Sequence, residues 1–327
     1  MKSRIFALDF KQKDFSIMEQ IHINFTKFDS LIQIADYFHS EEICKQAIAQ
    51  ERWGDSEAVC PYCGCTHTYM TAEGRYICKE CARHFSVTVG TIFENTKVSL
   101  RKWFLAMYLV SSHKKGVSSH QLARDIKVTQ KTAWFMLHKI RGLYGQSDET
   151  VLGGTVEMDE MYLGGRETNK HESKKVEDTK GATLLPIVEQ FVESGATTYT
   201  DELSSYNGLE KKGYNHLFVS HKQREYVRAN DIHTNSIEGF WAHFKRVVFG
   251  TYHCVSKDYL PRYIDEQVYR WNTREEKASV RFHDMFNKAV KQFDYSDVLS
   301  LSSVVDDEYR VFKHNVYYHW YMHRKSA

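Results

Sequence analysis

The chain has 327 residues, of which 42% are hydrophobic and 26% are charged, and its net charge is +2. This length allows two or three domains with a sizeable core, and the composition excludes an intrinsically disordered chain. The sequence has no apolar run long enough to span a bilayer and no signal-peptide layout at its N-terminus. We therefore expect a cytoplasmic protein with no membrane partner.

Apolar residues recur every three or four positions in the first half of the chain, which is typical of helices. This spacing predicts two short helices within 30–51, a buried helix over 98–112 and a helical pair over 117–142. Residues 1–29 show no pattern and are treated as an uncertain leader.

After residue 150 the sequence alternates between short strand-like runs and helices. Helices are predicted at 182–193, 234–249 and 257–273, and a short buried strand is predicted at 217–219. Pro186 is expected in the first turn of its helix, where proline is tolerated. Residues 291–327 are treated as an uncertain tail.

Four of the seven cysteines form two CxxC pairs, Cys60-Pro61-Tyr62-Cys63 and Cys78-Lys79-Glu80-Cys81, separated by 14 residues. Two such pairs can supply the four thiolates of one tetrahedral zinc site. Gly64 gives the first turn its backbone freedom. The pairs therefore predict a structural zinc ribbon, a small domain that folds around its metal.

The other candidate ligands near the ribbon have no obvious role in that pattern. Cys65 and His67 are interpreted as neighbours of the zinc site rather than as ligands. Cys44 and Cys254 are predicted to be small buried hydrophobic side chains.

The helical pair over 117–142 has the layout of a helix-turn-helix. A helix at 118–126 and a turn at 127–128 precede a second helix that Thr129 would cap. Gln130, Lys131 and Thr132 would lie at the exposed start of that second helix, where a recognition helix meets base edges.

Charge next to this motif supports binding of a polyanion. The segment 86–145 contains ten Lys or Arg residues and two acids. Lys139 and Arg141 are further candidate DNA contacts on the second helix. A two-helix hairpin in a protein core looks similar, and the adjacent zinc ribbon and basic bias favour DNA binding over that alternative.

Three acidic residues suggest a second kind of metal site. Asp159 and Asp201 each end a strand-like run, at 155–158 and 197–200, and Glu238 lies in the helix predicted at 234–249. Hard divalent cations prefer oxygen ligands, and two of them can hold the attacking and leaving oxygens of a phosphodiester. Asn235 and Lys245 fall on the same flank of the helix as Glu238. Taken alone, that flank is better explained as an ordinary surface helix with a Glu–Lys pair.

Ordered matches along the chain carry a family resemblance. They are Cys60-Pro61-Tyr62-Cys63-Gly64, Phe85-Ser86-Val87, Gly90-Thr91-Ile92-Phe93, Leu100-Arg101-Lys102-Trp103-Phe104, Lys131-Thr132-Ala133-Trp134, Val156-Glu157-Met158-Asp159-Glu160, Tyr199-Thr200-Asp201-Glu202, His233-Thr234-Asn235-Ser236-Ile237-Glu238 and Gly250-Thr251-Tyr252-His253. With them the chain resembles insertion-sequence transposases of the ISXO type over about residues 30–290.

The resemblance implies an α+β multidomain protein with a zinc ribbon, a helix-turn-helix region and a ribonuclease-H-like catalytic domain. The domains would span 30–95, 96–148 and 150–290. Asp159 and Asp201 match the two strand aspartates of the family. Glu238 is the first choice for the third metal ligand, and Asn235 is the alternate. Apart from the resemblance, Lys245 lies seven residues after Glu238 and is a candidate to hold a DNA phosphate beside the metals.

The implied chemistry uses two Mg²⁺ or Mn²⁺ ions. It consists of nicking at the terminal repeats of the element, followed by attack of the freed 3′-hydroxyl on target DNA. The implied partners are the element ends, the target DNA and further copies of the chain.

One segment departs from the family pattern. Residues 164–181 contain a single apolar residue, Val176, so the second and third strands of a ribonuclease-H-like sheet cannot be found there. We therefore expect those strands to be missing, the first strand to have an unpaired edge and catalysis to be impaired. A non-catalytic DNA-binding protein or repressor derived from a transposase is the alternative. A zinc-dependent regulator unrelated to transposition would leave residues 150–275 unexplained.

Overall fold

The described part of the chain has a mixed α/β architecture with two small sheets. The structure is a computed structural model that describes residues 23–54, 56–145, 151–161, 180–220, 227–228, 232–291 and 322–323. No helix within these ranges combines the length and the apolar character that a membrane crossing requires.

The first part of the chain forms a helical body. Its helices are α1 (Leu31–Tyr37), α2 (Glu41–Trp53), α3 (Leu100–Ser112), α4 (Ser119–Ile126) and α5 (Gln130–Gly142). The side chains of Ser30, Ser40, Ser118 and Thr129 each accept a backbone N–H in the first turn that follows, so local capping fixes four of these starts. The predicted helices at 30–51, 98–112 and 117–142 are confirmed.

One apolar core holds this body together, and a late helix completes it. Helix α9 (Ala278–Val290) comes late in the sequence but packs on α3, and its side chains Phe282 and Phe286 are fully buried. The edge of the Phe104 ring meets Phe286, with ring centroids 5.0 Å apart. The helical body therefore depends on contacts between residues far apart in sequence.

The cysteine-rich segment forms a small antiparallel sheet between α2 and α3. Its strands are β1 (Thr68–Met70), β2 (Tyr76–Cys78) and β3 (His84–Phe85), in the order β1-β2-β3. The buried residues here are Cys60, Cys78 and Phe85, so the sheet has little apolar core of its own. Cys44 is buried, as predicted, whereas Cys254 is exposed and that prediction is wrong.

The second sheet contains β4 (Thr155–Glu157), β5 (Thr197–Thr200), β6 (Asn215–Phe218) and β7 (Met322–His323). In the described part of the chain its order is β6-β5-β4-β7, with β4, β5 and β6 parallel and β7 antiparallel to β4. The strand predicted at 217–219 is displaced to 215–218. Its side chains are half-buried or exposed, and full burial is reached only at Val219.

Helix α6 (Gly181–Phe191) connects β4 to β5 and packs on the sheet through Leu184 and Val188. Its position matches the helix predicted at 182–193. Pro186, however, lies inside the helix rather than in its first turn.

Two further helices form a third apolar cluster. Helix α7 (Asn235–Val247) continues into a π-helical turn at Val248–Tyr252, and α8 (Leu260–Asn272) follows. The predicted apolar face of α7 is buried; it consists of Ile237, Phe240, Trp241, Phe244 and Val248.

One expectation about the second sheet is wrong. The edge of β4 that was predicted to be unpaired is paired with the C-terminal segment: Val156 faces His323 and Glu157 faces Met322. The composition of residues 164–181 carried no information about β7, which lies near residue 322. The segment predicted to lack two strands lies outside the described residues, except for positions 180 and 181.

Candidate metal centres and nucleic-acid interface

The four predicted zinc ligands form one cluster. The sulfurs of Cys60, Cys63, Cys78 and Cys81 lie within 4.8 Å of one another. Cys60 Sγ is 3.7 Å from Cys81 Sγ, and Cys63 Sγ is 3.5 Å from Cys78 Sγ. Four sulfurs about 2.3 Å from a tetrahedral zinc would be separated by roughly 3.8 Å. The donor set therefore fits Zn²⁺ in both chemistry and spacing.

Local backbone structure prepares this cluster. Gly64 has φ +73°, which permits its N–H to donate to the Cys60 carbonyl at 2.9 Å. In the second turn, backbone N–H groups of Cys81 and Glu80 point at the Cys78 sulfur and contribute to lowering the pKa of that thiol to about 6. A thiolate at neutral pH is the form that binds zinc.

Asp159 and Asp201 follow two neighbouring parallel strands. Glu157 of β4 pairs with Tyr199 of β5, and the Met158 N–H continues the ladder to the Tyr199 carbonyl at 2.8 Å. If this register continues by two residues, Asp159 stands opposite Asp201. Both aspartates are half-buried at this edge of the sheet. Asp201 Oδ1 also accepts the Leu203 N–H at 3.0 Å.

A further acid, Glu160, belongs to the same edge. Burial raises the pKa of Glu160 to about 7, and the negative charges of Asp201 and Asp159 add to this rise, while a hydrogen bond with Tyr206 opposes it. The Glu160 N–H donates to Asp159 Oδ1 at 2.9 Å. Crowded carboxylates of this kind are a suitable donor set for a hard divalent cation.

Helix α7 is attached to β4 through a buried carboxylate. Glu157 is completely buried, and its Oε2 accepts the N–H groups of Ser236 at 3.0 Å and Ile237 at 3.2 Å. His233 Nδ1 lies 3.4 Å from Glu157 Oε1. The partial positive charge of the helix N-terminus stabilises the carboxylate. The first turn of α7 is thus held on Glu157, which lies two residues before Asp159 in the sequence.

Glu238 lies one turn into α7, and its Oε1 accepts the Thr234 hydroxyl at 2.7 Å. It is half-buried, whereas Asn235 and Lys245 are exposed. Within the described residues, Asp159, Asp201 and Glu238 are not among the groups whose ligand atoms all lie within 4.8 Å of one another. The fold therefore brings both aspartates to one edge of the sheet, and Glu157 attaches α7 to that edge. The ligand atoms of Asp159, Asp201 and Glu238 are nevertheless not all within 4.8 Å of one another in the described structure.

The start of α5 is accessible. Gln130 and Lys131 are exposed and Thr132 is half-buried, and Gln130 Nε2 donates to the Ser119 hydroxyl at 2.9 Å. Thr129 caps the helix by accepting the Thr132 N–H at 3.2 Å. The side chains of Gln130 and Lys131 are therefore accessible to solvent, and that of Thr132 is partly accessible.

The other two candidate contacts on α5 are not available. Lys139 is 2% exposed, and its Nζ donates to the Ile92 carbonyl at 2.8 Å. Arg141 is also 2% exposed, and its guanidinium lies 4.0 Å from the centroid of the Tyr263 ring. The prediction that they contact DNA conflicts with this burial, because a phosphate cannot reach either head group. Positive charge in the sequence did not distinguish a buried cation from a surface cation.

Arg141 belongs to a buried ionic network that joins α5 to α8. Glu266 Oε2 accepts Arg141 Nε at 2.7 Å, and Glu266 Oε1 accepts Arg270 Nη2 at 2.8 Å. Burial opposes ionisation of Glu266, but the two guanidinium groups outweigh it and hold its pKa at about 2. This network was not predicted from the sequence, and neither were the roles of Glu157 and Glu160. For Glu160 the sequence offered one signal, its position directly after Asp159.

These features define a zinc-ribbon protein with a helical body and an acid-lined mixed sheet. Residues 39–84 match the transposase zinc-ribbon domain family, and residues 173–272 match the ISXO2-like transposase domain family. The second match contains Asp201, Asn235, Glu238 and Lys245 and begins after Asp159. The chain belongs to the family of ISXO2-like transposases.

Two relatives support this membership. An uncharacterized protein in transposable element ISH50 of Halobacterium salinarum is 30% identical over 270 residues, which cover 69% of this chain and 89% of the relative. An uncharacterized transposase-like protein of Haemophilus influenzae is 30% identical over 105 residues, covering 32% of this chain and 83% of the relative. No solved structure is significantly similar to the chain.

Proposed function

We propose that this protein is a DNA transposase that binds the terminal inverted repeats of an insertion sequence and catalyses metal-dependent cleavage and strand transfer. The observation that carries the proposal is the parallel register of β4 and β5, which directs Asp159 and Asp201 to one sheet edge. Because the chain belongs to the transposase family, the acids at that edge would serve DNA cleavage and strand transfer.

Asp159, Asp201 and Glu238 would hold two Mg²⁺ or Mn²⁺ ions, with Asn235 as the alternate to Glu238. When bound, such ions activate a hydroxyl nucleophile and stabilise charge on the phosphodiester. Glu157 supports this role because it holds the first turn of α7 on β4. The exposed ammonium of Lys245, on the same helix, is suited to bind a DNA phosphate.

The sheet supports interpretation as a ribonuclease-H-like core. In such a core the first strand has parallel neighbours on one side and an antiparallel neighbour on the other. Here β4 has β5 and β6 on one side, and β7 supplies the antiparallel neighbour. Strand β7 would therefore act as the antiparallel neighbour of the first strand in this core.

Recognition of DNA would use the start of α5. Gln130, Lys131 and Thr132 are the exposed or half-exposed residues there. Base edges are read from such a position by a recognition helix. Pairing of two element ends would bring at least two copies of the chain together. Light scattering of the protein with end DNA would measure that assembly.

A second function, DNA binding without catalysis, is favoured by one observation. The match to the transposase domain family begins at residue 173, so the segment carrying Asp159 lies outside it. A protein of this kind would still bind the element ends and would act as a repressor.

The test is cleavage of a labelled DNA fragment that carries the element end, with Mg²⁺ or Mn²⁺ added. We expect strand nicking by the unchanged protein and a loss of about 100–1,000-fold in Asp201→Asn, the range seen when one group that stabilises transition-state charge is removed. Glu189→Gln is the matched control, because Glu189 is an exposed acid of α6 that pairs with Lys212 and is not one of the proposed metal ligands. End binding without any nicking, at every metal concentration, would reject the transposase activity in favour of the repressor.

A further inference from the structure

The zinc ribbon carries a second group of metal-ligating side chains. Cys65, His67 and Glu80 each offer one ligand atom, and these atoms all lie within 4.8 Å of one another. His67 Nδ1 is 4.0 Å from Glu80 Oε1. The group shares no residue with the four cysteines of the zinc cluster.

Backbone hydrogen bonds hold these three side chains together. The Cys65 carbonyl accepts the Cys60 N–H at 2.8 Å, and the His67 carbonyl accepts the Lys79 N–H at 2.9 Å. The His67 N–H points at the Cys65 sulfur, at 3.2 Å. Both ligand-bearing segments are therefore fixed by the same turns that form the four-cysteine cluster.

The chemistry of the group selects among ions. A thiolate, an imidazole and a carboxylate are the three ligand types that zinc accepts in proteins. Mg²⁺ and Ca²⁺ prefer oxygen donors only, so a site with a sulfur and a nitrogen disfavours them. A surface ion pair between His67 and Glu80 would not require the sulfur of Cys65.

We propose that Cys65, His67 and Glu80 bind a second zinc ion, with water as the fourth ligand. The side chains of His67 and Glu80 are 71% and 66% exposed, so the ion would meet solvent on one side. An open site with one thiolate binds zinc more weakly than four thiolates, and the second ion exchanges with free zinc.

Binding at this site has a structural consequence. Cys65 and His67 follow the first cysteine pair, and Glu80 lies within the second, so an ion held by all three links the two turns from outside. A ligand that binds only the folded state stabilises it by RT ln(1 + [L]/Kd), so the stabilisation grows with the free zinc concentration. The melting temperature of the ribbon therefore rises with free zinc after the first site is full.

The test is the zinc stoichiometry of the untagged full-length protein, measured by native mass spectrometry during zinc titration. Millimolar Mg²⁺ is present throughout to occupy sites made only of oxygen ligands. We expect two zinc ions per chain in the unchanged protein and one in Cys65→Ser and in His67→Ala. His84→Ala is the matched control, since His84 is an exposed histidine of the same sheet outside the group, and it keeps two ions.

Cobalt substitution tests the ligand set directly. A second equivalent of Co²⁺ adds a weak thiolate-to-metal absorption, as expected for one sulfur ligand, and Cys65→Ser removes that addition while the first equivalent keeps its strong band. A single metal ion per unchanged chain at saturating zinc overturns the proposal. A second zinc ion that persists in both Cys65→Ser and His67→Ala also overturns it. Protection of Cys65 from alkylation at one zinc ion per chain overturns it as well, because Cys65 would then be a ligand of the first site.

Discussion

The two candidate metal centres are built in opposite ways. The zinc cluster takes all four ligands from residues 60–81, and short turns bring their sulfurs within 4.8 Å of one another. The acidic site draws on β4, β5 and α7, between residues 159 and 238, and its acids are not closed to that distance within the described residues. A local site is specified by spacing alone, whereas a dispersed site depends on every contact that positions its elements.

Those long-range contacts connect the acids, step by step, to the helical body. Glu157 ties α7 to β4, the apolar face of α7 packs on α8, and Glu266 of α8 binds Arg141 of α5. Damage to the zinc cluster should therefore remain local, while damage to any of these contacts should disturb the acidic site.

The largest expected effect concerns the zinc cluster. Structural zinc contributes about 10–16 kcal/mol of binding free energy in isolated zinc-finger peptides, and this sheet has a similarly small core. Cys78→Ser should release the zinc and abolish hydrogen-exchange protection in β1, β2 and β3, while α4 and α5 stay protected. Cys254→Ser is the control, because Cys254 is an exposed cysteine away from the cluster. Loss of protection in α5 as well would show that the zinc site is not a local unit.

The next effect concerns the buried network between α5 and α8. Glu266→Gln removes the carboxylate that lies between Arg141 and Arg270. Leaving buried charges uncompensated costs about 3–5 kcal/mol, so the free energy of unfolding in urea should fall by that amount. Glu189→Gln breaks an exposed pair with Lys212 and should cost less than about 1 kcal/mol. Equal losses in the two variants would contradict the structural role of the network.

Sequence patterns predicted the local structure well for physical reasons. The spacing of Cys60, Cys63, Cys78 and Cys81 specifies a cluster without knowledge of the rest of the fold, and Ser or Thr caps mark several helix starts. The apolar face of α7 was also legible, because a period near 3.6 identifies a buried stripe.

Partners far apart in sequence could not be predicted in this way. Nothing in the tail shows that Met322 would pair with Glu157, or that α9 would complete the helical body. Burial of Lys139 and Arg141 depends on a carbonyl at residue 92 and a carboxylate at residue 266. Neither can be read from the charge pattern of α5.

A smaller effect is expected when the attachment of α7 to β4 is weakened. Glu157→Gln keeps the shape of the side chain but removes the charge that the helix N-terminus stabilises. Residues that orient metal ligands typically contribute 10–100-fold, so we expect a drop of roughly that size in the nicking rate. Binding to the element end, measured by gel shift, should be unchanged.

The Glu157 prediction separates positioning from folding. The apparent affinity for Mn²⁺ should weaken in Glu157→Gln, because the acids are held less firmly, whereas the melting temperature of the ribbon should not move. Glu189→Gln is again the matched acid, because Glu189 is an exposed residue of α6 that pairs with Lys212. A nicking rate equal to that of the unchanged protein would show that this carboxylate does not position the site.

The smallest effect is a pH dependence of the same α5–α8 contact. His138 of α5 is 2% exposed and contacts two aromatic rings at a tilt, with centroids 4.1 Å from Trp134 and 4.6 Å from Tyr259. Burial lowers the pKa of His138 from 6.5 to about 3, and the positive charges of Arg141 and Arg262 add to this, while Glu266 opposes it. Among the described residues, neither ring nitrogen has a hydrogen-bond partner.

His138 is therefore neutral in the folded protein at pH 5 but protonated in the unfolded chain. The unfolded state binds the additional proton below pH 6.5, so the free energy of unfolding falls as pH decreases from 6.5 towards 3. Between pH 7 and pH 5 this histidine should account for a loss of about 2 kcal/mol. His138→Phe keeps an aromatic ring and removes the titration, so its urea stability should decline less over that interval, by about the same amount. An identical decline in both proteins would mean that the ring is protonated in the folded state and that the α5–α8 contact is less tightly closed than its burial indicates.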